Sequence, residues 1–113
     1  AFLTLRAFEF IRTDVGLPGL PVKLVGYVPG FLSEANGPTH QAIDDVAVMR
    51  AIPGMQIVCP TDETELLMSV PAMLASPRPT YLRFAASSCR IPHPASYAFG
   101  QAEVLSEGRD ATV

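Results

Sequence analysis

Positive charge is scarce in this chain. Eight lysines and arginines face eleven aspartates and glutamates among 113 residues, giving a net charge of -3, and Lys23 is the single lysine. Such a chain has no basic patch to neutralise a phosphate backbone, so nucleic acid is excluded as a partner. Cysteine is equally sparse. Cys59 and Cys89 stand alone, with no CxxC and no paired histidine spacing, which argues against a zinc site and a disulfide framework and points to a reduced, cytoplasmic setting. No apolar run is long enough to span a bilayer, and the first residues lack the basic flank and cleavage pattern of a signal peptide. Neither a membrane anchor nor export is expected. Internal repeats and low-complexity tracts are also missing.

What is present is apolar. Hydrophobic residues make up 49% of the chain and charged ones 17%, a balance that favours a folded core over disorder. The length suits one small domain. The chain opens without methionine inside a helix-patterned run and stops where a strand is expected to start, so both ends are expected to be cuts through a larger protein.

Leu5, Phe8, Ile11 and Val15 recur at steps of three and four, which predicts an amphipathic helix over residues 2–15. After a Pro/Gly break, the β-branched run at residues 22–28 reads as a buried strand. A loop from Pro29 leads to a second helix carrying Ile43, Val46 and Ala47, with Asp44 and Asp45 as dipole-favourable surface charges in its first turns. Residues 56–59 form a short strand, and Asp62 three places before Glu65 marks a capping box. The helix it starts, over residues 62–74, should be kinked or interrupted at Pro71. Residues 80–84 give a further strand, residues 87–98 a linker, and residues 99–107 a strand opening another domain. Alternating helices and strands imply an α/β layer with a mainly parallel sheet.

In open parallel sheets, ligands bind beyond the carboxyl ends of the strands. The loop over residues 29–41 lies there and offers Glu34, Asn36, Thr39, His40 and Gln41. Two readings of His40 stand. It can donate a hydrogen bond to an oxygen that gains charge during a reaction, or it is a first-turn residue of a helix capped by Thr39 or Asn36. Phe2, Leu5 and Phe8 could floor a planar ring or simply fill the core. Arg83 could meet an anion or pair with a helix carboxylate, while His93 and Cys59 read as structural.

The words of the sequence say more. GPTHQAIDDVAVMRAIPGMQIVCPTDETE, over residues 37–65, resembles the pyrimidine-binding domain of the transketolase family of thiamine-diphosphate enzymes. The likeness continues upstream through FLTLRAFEFIRTDV and downstream through PTYLRF, and FGQAEVLSEGRDATV resembles the start of that family's third domain. The wording is most similar to the separate C-terminal subunit of split bacterial transketolases, with 1-deoxyxylulose-5-phosphate synthase a near relative.

The resemblance implies a doubly wound, mainly parallel α/β pyrimidine-binding domain at residues 1–86, a linker at 87–98 and the start of a second α/β domain, the C-terminal one, at 99–113. It implies a transferase that moves a two-carbon ketol unit between sugar-like substrates, with a non-catalytic interaction module or a synthase-like enzyme as alternatives. Phe2, Leu5 and Phe8 would bind the aminopyrimidine, and His40 and Asn36 would meet the substrate, with His40 catalytic. Diphosphate and Mg2+ would be held by a partner domain or subunit, in a homodimer or heterotetramer. The glutamate that activates the cofactor would lie upstream of Ala1, so this stretch alone would not be catalytically complete.

Departures accompany the likeness. Asn36 stands in place of a substrate-facing aspartate, and Val28 in place of a substrate histidine. Pro29 and Ala86 occupy positions where phosphate-gripping arginines are usual, which removes bidentate phosphate recognition.

Overall fold

A computed structural model of the chain describes residues 1–87, 92–104 and 106–111. After turns over residues 2–7, a short helix α1 (Phe8–Phe10) runs directly into a π-helical segment, Ile11–Gly16. The regular helix expected over residues 2–15 is therefore replaced by a turn, an α-turn and a wider coil. The bond from Leu17 N to Arg12 O at 2.8 Å shows the widened register. A packing requirement accompanies it: Gly16 lies directly against the Ile52 side chain, where any Cβ would collide.

Strand β1 (Lys23–Tyr27) follows, then helix α2 (Asp45–Arg50), strand β2 (Gln56–Val58), helix α3 (Glu63–Ala75) and strand β3 (Thr80–Phe84). The three strands form a parallel sheet in the order β1-β3-β2, with Val25 beside Leu82 and Val58 on the other side of the same residue. The connection from β1 to β2 passes across β3 through α2, and the return to β3 runs the opposite way through α3. Right-handed connections in opposite directions place the two helices on opposite faces. Alternation along β3 agrees with this. Tyr81 packs with Ile11, Met49 and Ile52 on one face, and Leu82 packs with Val58 and Met73 on the other. This is a doubly wound α/β layer.

Local chemistry fixes the element ends. Asp62 caps α3, its Oδ1 accepting from Glu65 N at 3.0 Å, while Glu65 Oε2 accepts from Thr61 N at 2.7 Å. Pro71 does not interrupt α3, which runs as one helix through it. The single lysine ties the far side of the sheet: Lys23 Nζ donates to Ser76 O at 2.8 Å and to Arg78 O at 2.6 Å, holding the turn before β3 to the start of β1.

The strand expected over residues 99–107 does not form among the described residues. A strand needs an edge to pair with. Instead Tyr97 and Phe99 meet edge to face, with centroids 5.6 Å apart, and pack against the core on the α3 side. Cys89 lies outside the described residues, and Cys59 is exposed. No helix of the described residues is long and apolar enough to cross a membrane.

Candidate functional site

The carboxyl end of β1 is followed by a strained residue. Val28 has a φ of 61°, a conformation that costs a β-branched side chain heavily. Two residues later Gly30, at φ 63°, pairs with Ala42 in an isolated antiparallel bridge. Gly30 N donates to Ala42 O at 2.8 Å, and Ala42 N donates to Gly30 O at 3.1 Å. The bridge closes a loop that carries a 3-10 turn, Glu34–Asn36, and then Gly37 at φ 72°. His40 N donates to Gly37 O at 3.1 Å, so the histidine ends a tight turn just before the bridge.

His40 is therefore not a first-turn residue. Helix α2 starts at Asp45, its N-cap is Asp44, and no side chain caps it. Neither Thr39 nor Asn36 has the capping role: Thr39 Oγ1 is 3.0 Å from His40 Nδ1, and Asn36 Nδ2 donates to Ser33 Oγ at 3.0 Å. The contact runs either way, according to which ring nitrogen carries the proton, and it fixes the orientation of the ring in both cases.

The fold brings His40 to Phe2. Their ring centroids are 4.9 Å apart and their planes stand at 86°, the edge-to-face arrangement that ring quadrupoles favour. The Arg6 guanidinium carbon lies over the Phe2 ring, 4.5 Å from its centroid, a cation–π contact that sequence spacing does not reveal. Phe2 and Leu5 remain 44% and 46% exposed, whereas Phe8 packs against the core beside Ile11 and Met49. Apolar surface thus lies open next to an exposed imidazole. Asn36 sits at the end of the 3-10 turn, one turn before His40.

Beneath this loop is a buried polar group. Asp45 is 1% exposed and not a surface charge, a correction that follows from where its neighbours point. Adjacent helical residues diverge, so Asp44 faces solvent while Asp45 faces the sheet. Asp45 Oδ2 accepts from Tyr81 Oη at 2.7 Å and from Arg83 Nε at 2.8 Å, and Arg83 Nη2 also donates to Ala42 O at 3.2 Å. Asp45 Oδ1 is buried without a hydrogen-bond partner. Burial first, and then the bond to Asp45, push the Tyr81 hydroxyl above the usual tyrosine range. Of the two readings of Arg83, the helix carboxylate is the one the structure realises. The signal for this cluster was present in the sequence: Tyr81 and Arg83 lie in a central strand, where buried polar atoms need partners.

A second polar cluster lies elsewhere. His93, with its side chain 2% exposed, is 2.8 Å from Asp62 Oδ2 and 3.0 Å from Glu103 Oε2. The cleft beside it is lined by Glu65, Met68, Tyr97 and Gln101 and includes none of the residues around His40. No group of three or more histidine, cysteine or acidic residues suited to a metal ion occurs among the described residues.

Comparison with known proteins places this geometry in context. The model of the transketolase pyrimidine-binding domain matches residues 1–91. A 6-deoxy-6-sulfo-D-fructose transketolase subunit of Clostridium sp. (strain MSTE9) is 37% identical over 115 aligned positions, covering 100% of this chain and 36% of the relative. The 1-deoxy-D-xylulose-5-phosphate synthase of Syntrophus aciditrophicus (strain SB) is 36% identical over 107 positions, covering 91% of this chain and 16% of the relative. Among solved structures, a split-gene transketolase described as an inactive beta4 tetramer superposes with a TM-score of 0.81 at 34% identity, covering 96% of this chain and 35% of that one. The chain spans about a third or less of the length of these proteins.

Proposed function

The chain belongs to the transketolase family, of which it carries the pyrimidine-binding domain, and from that premise we propose that it serves a thiamine-diphosphate-dependent enzyme that transfers a two-carbon ketol unit between sugar-like substrates. The observation that carries the reading is the meeting of Phe2 and His40 beside open apolar surface. A flat, weakly polar ring gains from burial against such side chains, so the residues present fit an aminopyrimidine. Phe2 and Leu5 would cover it, and Phe8, fixed in the core, would hold their segment in place.

Thiamine diphosphate, when bound, supplies the carbanion and the electron sink. The chain's own residues orient the substrate and move protons on its oxygens. His40 can donate from one ring nitrogen while Thr39 holds the other, which suits proton transfer at a carbonyl or hydroxyl oxygen. Asn36 can bind a substrate hydroxyl, though without the full charge of an aspartate. Diphosphate and Mg2+ belong, in this reading, to a partner domain or subunit in a dimer or heterotetramer. Residues 87–98 act as a linker, and residues 99–113 open the C-terminal domain.

The substrate is inferred to be a ketose not gripped through phosphate by this chain, since Pro29 and Ala86 stand where arginines would do so. The Clostridium relative is named for a sulfo sugar, which agrees with a family able to serve such substrates. The same losses make a synthase-like reaction on a sugar phosphate the weaker reading.

A second reading is a non-catalytic interaction module. Val28, Asn36 and Ala86 motivate it, as do the exposed apolar side chains of Phe10, Leu17, Phe31 and Ile43. One experiment separates the two. The full-length protein, combined with its diphosphate-binding partner, should melt higher with saturating thiamine diphosphate and Mg2+, and His40→Ala should lower kcat more than it weakens cofactor binding. Unchanged melting selects the interaction module; equal losses in kcat and cofactor affinity reject the substrate-side role of His40.

A further inference from the structure

Asp45 is an expensive residue to keep. It is a buried carboxylate on a six-residue helix, one oxygen takes two donors, and the other has none. Replacing such a group by a well-packed apolar side chain is often neutral or stabilising, so stability alone is a poor account of it. Local rules tend to be broken where position matters more than energy.

The connections of Asp45 lead to one place. Arg83 is held by Asp45 through Nε, and its Nη2 holds the carbonyl of Ala42. That carbonyl also accepts from Gly30, in the bridge that closes the loop two residues after His40. Tyr81, rooted in the central strand, fixes the carboxylate from the other side. The guanidinium is planar, so fixing Nε by Asp45 also fixes the direction of Nη2. Arg83 therefore couples the rigid sheet to the backbone that presents His40.

We infer that Asp45 and Arg83 are positioning residues, which hold the Gly30–Ala42 bridge so that His40 meets the substrate in a reactive geometry. The inference rests on the proposed role of His40. Displacing a catalytic group by about 1 Å can cost about 100-fold in rate, and the bridge is the near anchor of the His40 turn. The bond to Asp45 makes the anchor directional in a way a flexible lysine cannot reproduce.

The test is a mutant cycle in the full-length enzyme with its partner, thiamine diphosphate and Mg2+, joined to amide exchange. Arg83→Gln should lower kcat by about 10- to 100-fold with little change in cofactor affinity, and should speed exchange at the Ala42 amide. In the His40→Ala background the same substitution should cost less than about twofold, because its effect passes through His40. A merely structural role would instead give losses that multiply. Arg83→Lys keeps the charge and provides a milder variant if Arg83→Gln does not fold; it should show the same pattern at smaller size. Unchanged Ala42 exchange, unchanged kcat in both Arg83 variants, or multiplicative losses would each overturn the positioning role. If His40→Ala alone leaves kcat intact, the reading of His40 falls, and the catalytic part of this inference falls with it even where exchange has increased.

Discussion

The Tyr81 hydroxyl reaches Asp45 Oδ2 at 2.7 Å through a gap that Gly26 leaves open. A Cβ on Gly26 would stand 2.8 Å from that hydroxyl. A glycine in β1, a tyrosine in β3 and an aspartate in α2 thus form one dependency across the sheet.

Tyr81→Phe removes the donor and leaves a buried carboxylate with Arg83 alone. A hydrogen bond to a charged, buried acceptor is worth roughly 1.5–3 kcal/mol, and urea unfolding of the variant should show a loss of about that size. Gly26→Ala should cost a similar amount by displacing the hydroxyl. The double variant should lose clearly less than the sum of the two single losses, since both break the same bond, although the ring carbons that phenylalanine keeps would still lie 3.1 and 3.3 Å from the added methyl; full additivity would disprove the dependency.

Gly16→Ala tests the other close approach. The added methyl would meet the Ile52 side chain, which is 1% exposed and has no room to yield. Overpacking of this kind costs roughly 1–3 kcal/mol. Ile52→Ala opens the space, so in that background Gly16→Ala should be close to neutral. A loss of the same size in both backgrounds would place the cause in the π-helical backbone and not in packing.

Much of the fold was legible because its signals are local. Pro79 and the β-branched and aromatic run after it delimit β3, and Asp62 with Glu65 marks the start of α3, where the side-chain cap is observed. The N-terminal helix was misread because apolar spacing reports neither a π-turn nor the close contact of Gly16 with Ile52, far along the chain, that accompanies it. Asp45 was misread for a related reason. Its neighbour Asp44 obeys the dipole rule at the surface, and only the pairing of α2 with β3 decides which of the two turns inward. The candidate site was legible through its histidine and its aromatic stripe taken separately. Their meeting depends on tertiary packing, which no periodicity encodes.

Phe2→Ala measures that meeting. If Phe2 covers the cofactor's ring, its loss removes apolar contact and one aromatic pairing, worth about 1.4 kcal/mol or tenfold in Kd. Titration of the full-length enzyme with thiamine diphosphate at saturating Mg2+ should show the weaker Kd. Phe2→Tyr, which keeps the ring, should stay within about threefold of the parent. An unchanged Kd in Phe2→Ala would remove Phe2 from the cofactor pocket.

His93 gives a dependence on pH whose sign can be worked out. Hydrogen bonds to Asp62, and then to Glu103, push its pKa up to about 9 from an ordinary 6.5. The folded chain therefore holds the proton more tightly than the unfolded chain does. The stabilisation is fully present below about pH 6.5 and is lost as pH rises through about 9. It acts locally, because His93 joins the α3 N-cap to the segment around Glu103, with Glu65 facing the same cleft. Limited proteolysis, normalised to an unfolded substrate at each pH, should cut residues 92–104 faster at pH 10 than at pH 7. His93→Gln can still hydrogen-bond but carries no charge, so it should be cut at a rate that changes little over the same range. If the parent protein is cut equally at both pH values, protonated His93 is not what holds this segment to α3; if His93→Gln keeps the pH response, another group carries it.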